Sequence, residues 1–187
     1  QTHMKNLFTV LGFILAISVM AQGKLKYEVD PFTKVNAAYV DKNYTLVAKM
    51  GTSIIIDRAE RLQQDSGKVF YRLYMNVWLG KHFCFSDNSS VVLLTQNDEQ
   101  ITLPSKSFSC SNVKCSNGMC QHLLRFSPLL TASEFFAAKN KAIKMIRINT
   151  KEGYVNLDID SERYQTNLAR LVENFVEFET ADTPPNK

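Results

Sequence analysis

The side chains best suited to chemistry are four cysteines and two of the three histidines. One stretch reads His82-x-Cys84, and another places Cys110, Cys115 and Cys120 at intervals of five residues. His122 follows two residues later. An even number of cysteines in an exported chain is typical of disulfides, whereas thiolates and imidazoles together are zinc ligands. The sequence predicts two disulfides, with a Cys/His metal site as the alternative.

The spacing of the cysteines also suggests a pairing. The dipeptide Asn117-Gly118 is a turn signal, and a hairpin around it would place Cys110 opposite Cys120. Cys84 would then pair with Cys115. In this arrangement no cysteine remains for a metal, and we expect no metal or other cofactor.

Three acidic residues alternate near the C-terminus: Asp158, Asp160 and Glu162. Alternate residues of a strand share one face, so these carboxylates could serve a small hydrolase as acid and base. The alternative is structural, because Asp160 or Ser161 is well placed to cap the last helix. We favour the capping role and expect no catalytic residue here.

The longest predicted strand, over residues 68–79, has two different faces. One face is uniformly apolar and is predicted to be core: Val69, Tyr71, Leu73, Met75, Val77 and Leu79. The other mixes aromatic rings with hydrogen-bonding groups: Phe70, Arg72, Tyr74, Asn76 and Trp78. Such a face suits a sugar or an extended peptide. The alternative, which we favour, is that the helices cover it.

Several function classes find no support. The chain has no Gly-x-Ser-x-Gly elbow and no glycine-rich phosphate loop. The net charge is only +4, without the clustered basic face of a nucleic-acid binder. The assignment as an enzyme is therefore uncertain, and we lean against it.

The N-terminus predicts export. Residues 1–3 are interpreted as a cloning remnant or upstream residues, and 4–21 as a signal peptide with Lys5, an apolar run and small residues before a cleavage site at Gln22. No later apolar run is long enough to span a membrane. We expect a periplasmic or secreted protein. Of 187 residues, 166 remain after the first 21, which suits one domain over 22–180, with 181–187 as a disordered tail.

Strand signals dominate this domain, and two helices are predicted. Residues 22–43 are interpreted as an extended lead-in. Thr131 and Glu134 form a capping box for a short helix through Lys139. A second helix over 161–179 carries an apolar stripe that we expect to be buried: Leu168, Leu171, Val172, Phe175 and Val176. Because the order lacks β-α-β alternation, the predicted class is α+β, a largely antiparallel sheet of about seven to nine strands with two helices, the C-terminal one packed on the sheet.

The C-terminal third resembles a group of exported proteins. The pattern includes Pro128-Leu129-Leu130-Thr131, Glu134-Phe135, Gly153-Tyr154 and Asp158-Ile159. It is similar to small exported proteins of unassigned function from Gram-negative bacteria. The resemblance implies an exported α+β domain and supplies no catalytic residues.

These observations lead to one functional expectation with two alternatives. We expect a non-enzymatic binding or interaction module of the periplasm or cell envelope, whose partner is a protein or an envelope component. The alternatives are the small hydrolase built on Asp158, Asp160 and Glu162, and a Cys/His metal-binding protein.

Overall fold

A computed structural model describes residues 25–29, 36–64, 66–106, 108–116 and 118–180. The predicted signal peptide and the predicted tail lie outside these residues. The strands are β1 (Leu25–Val29), β2 (Asn36–Lys49), β3 (Thr52–Gln63), β4 (Val69–Leu79), β5 (Cys84–Phe85), β6 (Ser90–Thr95), β7 (Gln100–Pro104), β8 (Ser109–Cys110), β9 (Asn112–Ser116), β10 (Met119–Phe126), β11 (Leu129–Thr131), β12 (Ile143–Thr150) and β13 (Gly153–Asp158). The helices are α1 (Ala132–Phe136), α2 (Glu162–Gln165) and α3 (Asn167–Thr180).

The strands form one large antiparallel sheet and two smaller ones. The seven-stranded sheet has the order β1-β2-β3-β4-β10-β9, and β11 pairs with the first half of β4 beside β10. A four-stranded sheet has the order β13-β12-β6-β7, and β5 pairs with β8. All pairings are antiparallel. The predicted α+β class is confirmed, and the described residues contain more strands than expected because several are only two or three residues long.

A single apolar core joins the two larger sheets and the C-terminal helix. Along β4 every second residue from Tyr71 to Leu79 is buried, which confirms the predicted core face. Isoleucines of β12 and leucines and valines of β6 belong to the same buried cluster. The four-stranded sheet therefore covers the face of the large sheet that carries Tyr71.

The helices cover the rest of that face. The capping box of Thr131 and Glu134 is present, although α1 ends at Phe136 rather than near Lys139. Phe135 stacks on Tyr71 with ring centroids 4.2 Å apart, and Phe175 of α3 meets Tyr71 edge to face. The predicted C-terminal helix is divided at Thr166, between α2 and α3. Four residues of its stripe are buried, whereas Val176 is half-buried against the core.

One sequence prediction about the N-terminal part is wrong. Residues 36–43 belong to β2, a full strand of the large sheet, and not to a lead-in. The alternation of polar and apolar residues there has a physical reason, since Ala38 and Val40 face the core while Tyr39 and Asp41 face away from it. Among the described residues, no helix combines the length and the apolar character that a bilayer crossing requires.

Candidate functional site: the open face of the large sheet

The seven-stranded sheet has one covered face and one face on which no described helix or strand packs. The helices contact the sheet through Tyr71, Arg61 and Tyr44, which all lie on the core side. The opposite side of β4 carries the five residues that the sequence analysis singled out, Phe70, Arg72, Tyr74, Asn76 and Trp78, all half-buried. The expectation that the helices cover this side is therefore wrong. We call this side the open face.

Strand register places further functional groups on the open face. Glu60 of β3 lies opposite Arg72, and Arg58 lies opposite Tyr74. On β2, Tyr39 lies opposite Glu60. On the other edge of β4, Arg125 of β10 lies opposite Asn76. The open face thus combines side chains from four strands, which sequence analysis of one strand alone could not assemble.

A buried carboxylate organises the centre of this face. Glu60 is only 7% exposed. It accepts a hydrogen bond from the Tyr74 hydroxyl at 2.7 Å and forms an ion pair with Arg58 at 2.6 Å. Arg58 in turn stacks over the Tyr39 ring at 3.8 Å. Burial raises the pKa of Tyr74, and its bond to Glu60 raises it further, so the hydroxyl remains a donor at neutral pH. This network holds the rings in place.

A second polar group lies beside the first. Asn76 donates a hydrogen bond to the Asp57 carboxylate, which sits at a bulge between Ile56 and Arg58. Burial raises the pKa of Asp57, against the lowering effects of Asn76 and of the Arg125 charge. Arg125 is exposed and has no ion-pair partner within 4 Å among the described residues. Its guanidinium is available to a ligand.

Charge is nearly balanced across the open face. Five cationic and four anionic side chains share it: Lys26, Arg58, Arg72, Lys114, Arg125, Glu28, Asp41, Asp57 and Glu60. Three aromatic rings, Phe70, Tyr74 and Trp78, recur every fourth residue along β4, about 14 Å apart for a rise of ~3.4 Å per residue. A nearly neutral surface with regularly spaced rings offers stacking and hydrogen bonding without strong selection for a charged partner.

The cysteines form two disulfides, but the predicted pairing is wrong. Cys84 is bonded to Cys110, and Cys115 to Cys120. Cys115 and Cys120 are direct partners across the β9-β10 hairpin, which leaves no room for Cys110 in that position. Cys110 lies earlier, in β8, where Cys84 of β5 is directly opposite. Asn117-Gly118 was identified as the turn, but the residues equidistant from it are Cys115 and Cys120, whereas a pair of Cys110 and Cys120 would be centred on Cys115.

The first disulfide lies beside His82, whose ring contacts that of His122. The Nε2 atom of His82 is 3.5 Å from the Cys84 sulfur. His122 lies edge-on to His82 with ring centroids 5.6 Å apart. His82, Cys84 and Cys110 are the one group among the described residues whose possible metal-ligating atoms all lie within 4.8 Å of one another. His82 and Cys84 are neighbours in the sequence, whereas Cys110 and His122 come near His82 only in the folded chain.

The three acidic residues do not come together. Strand β13 ends at Asp158, so Asp160 and Glu162 lie beyond it and the three do not share a strand face. All three are exposed, and Asp160 forms an ion pair with Lys49 at 2.8 Å. Ser161 is the N-cap residue of α2, but its side chain makes no capping hydrogen bond. Ser161 therefore occupies the predicted N-cap position, but the side-chain cap predicted for it does not form.

A polar groove of about 550 Å³ lies between β2 and the two helices α2 and α3. Its buried amides are already used within the protein, because Asn167 donates to the Thr45 carbonyl and Asn174 donates to the Tyr44 hydroxyl. These bonds attach α3 to β2. The groove therefore has a structural explanation that the open face lacks.

Sequence reasoning missed Glu60, Arg58, Tyr39 and Asp57 as members of the candidate site. A charged residue between Ala59 and Arg61 gives no local signal of function, and only its register opposite Arg72 reveals its place. A comparison of the chain with known protein families, curated proteins and solved structures finds no match.

Proposed function

We propose that this protein is an exported, non-enzymatic binding module of the cell envelope, and that its open face binds a neutral glycan chain. The observation that carries the proposal is the row of Phe70, Tyr74 and Trp78 on a sheet face that no described element covers. The three rings are partly exposed, and apolar groups that lie together on a surface are typical of a binding site.

The chemistry of the face favours a sugar over other envelope components. Sugar rings present apolar faces that stack on aromatic rings, and hydroxyls that pair with amides, carboxylates and guanidinium groups. Asn76, Asp57 and Arg125 supply those groups next to the aromatic row. The nearly balanced charge argues against an acidic polymer, which would require a cationic surface.

Preorganisation supports the same proposal. Glu60 fixes Tyr74 through the hydroxyl and fixes Arg58, which packs on Tyr39. Side chains that are already ordered lose little conformational entropy on binding, so a broad and shallow surface can still bind usefully. Export is supported by the signal-like N-terminus and is consistent with the two disulfides.

The only tryptophan of the chain, Trp78, allows a direct test. Its emission is recorded while the mature protein is titrated with neutral oligosaccharides from a glycan panel and, separately, with an acidic polysaccharide. We expect a blue shift with one neutral class and little effect of salt. Arg72→Ala and Phe70→Ala keep the reporter and should weaken binding about ten-fold.

The matched control is Tyr154→Ala, which removes an exposed ring from β13, far from the open face in the other sheet. It should bind like the parent. Equal loss in the control and in Phe70→Ala, or binding only to the acidic polymer with strong salt dependence, would overturn the glycan assignment.

A further inference from the structure

We propose that reduction of the Cys84–Cys110 disulfide converts its surroundings into a zinc site with His82, Cys84, Cys110 and His122 as ligands. This inference concerns a different part of the molecule from the open face and does not depend on the glycan proposal. It rests on the arrangement of donor atoms around one disulfide.

Three of the four ligands are already close enough. The ligand atoms of His82, Cys84 and Cys110 lie within 4.8 Å of one another. In a tetrahedral zinc site with Zn–S near 2.3 Å and Zn–N near 2.0 Å, neighbouring ligand atoms are roughly 3.3–3.8 Å apart. Strands β5 and β8 hold the two cysteines opposite each other, so the thiolates can stay near once the sulfur–sulfur bond is broken.

His122 supplies the fourth ligand. Its ring is edge-on to His82, and its Nδ1 atom is buried with no hydrogen-bond partner. A buried imidazole nitrogen without a partner is unfavourable, and a metal ion would satisfy it. His122 lies outside the group of ligand atoms within 4.8 Å of one another, so its side chain must move toward the cluster to bind the ion. Two thiolates and two imidazoles make up the donor set that selects zinc.

The outer contacts also fit a metal site. Ser111 is buried, accepts a hydrogen bond from the Phe83 amide at 3.1 Å, and lies 3.2 Å from Nδ1 of His82. A metal-bound histidine donates its other N–H to such an acceptor, which leaves Nε2 to bind the ion. Glu152 accepts a hydrogen bond from the Cys84 amide at 3.1 Å, which places its carboxylate beside the cluster.

The chemistry balances in two steps. A dithiol reductant transfers two electrons and two protons to the disulfide, which breaks into two thiols while the reductant closes its own disulfide. Zinc then displaces the two thiol protons and binds both thiolates. In the oxidised protein the two sulfurs are bonded to each other and cannot bind zinc as thiolates. In the reduced protein both are available to the ion.

The second disulfide provides an internal comparison. Cys115 and Cys120 are exposed at the β9-β10 hairpin, and neither belongs to a group of three potential ligands among the described residues. Reduction there should create no tight metal site. Any binding by two cysteines alone can therefore be separated from binding at the proposed cluster.

The experiment uses Co²⁺ as a spectroscopic substitute for zinc. The mature protein is reduced with dithiothreitol, the reductant is removed without oxygen, and Co²⁺ is added. We expect one equivalent to bind, with thiolate charge-transfer bands and intense visible bands of tetrahedral cobalt that Zn²⁺ abolishes.

The double variant Cys115→Ser/Cys120→Ser should behave the same way, and Cys84→Ser/Cys110→Ser should give no such bands. Ser111→Ala should weaken binding about 10–100-fold, and His122→Ala should alter the visible bands.

Circular dichroism of each reduced sample shows whether the fold survives. Should reduction unfold the chain, the titration is repeated during refolding, where Co²⁺ should restore the near-ultraviolet signal in the Cys115→Ser/Cys120→Ser variant only while Cys84 and Cys110 are present. The proposal is wrong if the reduced parent gives no charge-transfer bands. It is equally wrong if the bands persist in Cys84→Ser/Cys110→Ser, or if Co²⁺ restores no structure.

Discussion

The two faces of strand β4 are built from alternating residues, and one face is buried in the core while the other is partly exposed. Tyr71, on one face, is 1% exposed and packed between Phe135 and Phe175. Tyr74, on the other, is half-buried and contacts only polar neighbours, Glu60 and Arg72, through its hydroxyl. Each tyrosine hydroxyl donates a hydrogen bond to a glutamate, Glu179 for Tyr71 and Glu60 for Tyr74, but the surroundings of the two rings differ. The covered face is organised by apolar packing, and the open face by hydrogen bonds and ion pairs.

Under the proposed function, one face stabilises the fold and the other recognises the ligand. Apolar packing on the covered face stabilises the fold and leaves nothing for a partner. The open face leaves rings and polar groups within reach of a ligand while its own network keeps them ordered. The following predictions test whether substitutions on the two faces really separate in this way.

The largest effect is expected for Phe175→Ala. Phe175 is fully buried and contacts both Tyr71 and Phe135. Its truncation should reduce the free energy of unfolding by about 3–5 kcal/mol, measured by urea denaturation. The matched change on the open face, Phe70→Ala, should cost only roughly 1–2 kcal/mol because Phe70 is half-buried. Equal costs would show that the open face is covered after all.

Tyr71→Phe should have the next largest effect. The variant keeps the ring stacking and removes the hydroxyl that donates to Glu179 at 2.7 Å. A hydrogen bond to a carboxylate near the surface contributes about 1–2 kcal/mol, and the loss should appear in thermal and urea unfolding. Glycan binding should be unchanged, since this hydroxyl lies on the covered side.

Tyr74→Phe is the matched deletion on the open face. It removes the donor to Glu60, which keeps its ion pair with Arg58 as Glu179 keeps its pair with Arg61, so the stability cost should again be about 1–2 kcal/mol. Glycan affinity should fall several-fold because the ring is no longer held. A variant that loses stability without losing affinity would contradict the recognition role of this face.

The smallest predicted effects are changes in the free energy of unfolding with pH. They have opposite signs for Glu179 on the covered face and Asp57 on the open face. Burial raises the pKa of Glu179, but the hydrogen bonds from Arg61 and Tyr71 outweigh it and lower the pKa overall. Its stabilising effect is therefore present above the unfolded-state pKa and is lost as pH falls through the folded-state pKa. Glu179→Gln should lower stability at neutral pH by about 0.5–1 kcal/mol, a gap that closes in acid.

Asp57 should behave in the opposite way. Burial raises the pKa of Asp57, so its stabilising effect is present below the unfolded-state pKa and is lost as pH rises through the folded-state pKa. Asp57→Asn should match the parent in acid and be slightly more stable at neutral pH. Unfolding curves over a pH series check both variants, and a shift of the same sign in the two would break the contrast.

Much of the fold was predictable because local patterns and the tertiary structure agree. The alternation in β4 predicted its core face, and the stripe in α3 predicted the burial of Leu168, Leu171, Val172 and Phe175. The capping box at Thr131 is a purely local signal and is present. The first half of β2, residues 36–43, was missed because Tyr39 and Asp41 on the open face dilute its apolar pattern.

The sequence by itself determined the α+β class, the two faces of β4, the amphipathic C-terminal helix and the presence of disulfides. These features depend on residue types at short spacings, which the period of a helix or strand translates directly into faces. Which face the helices cover, which cysteines pair, and which residues join Glu60 or His82 depend on contacts between strands far apart in the chain. Only the tertiary structure decides these, because several registers satisfy the same local pattern and the lowest free energy is set by how all the buried side chains pack together.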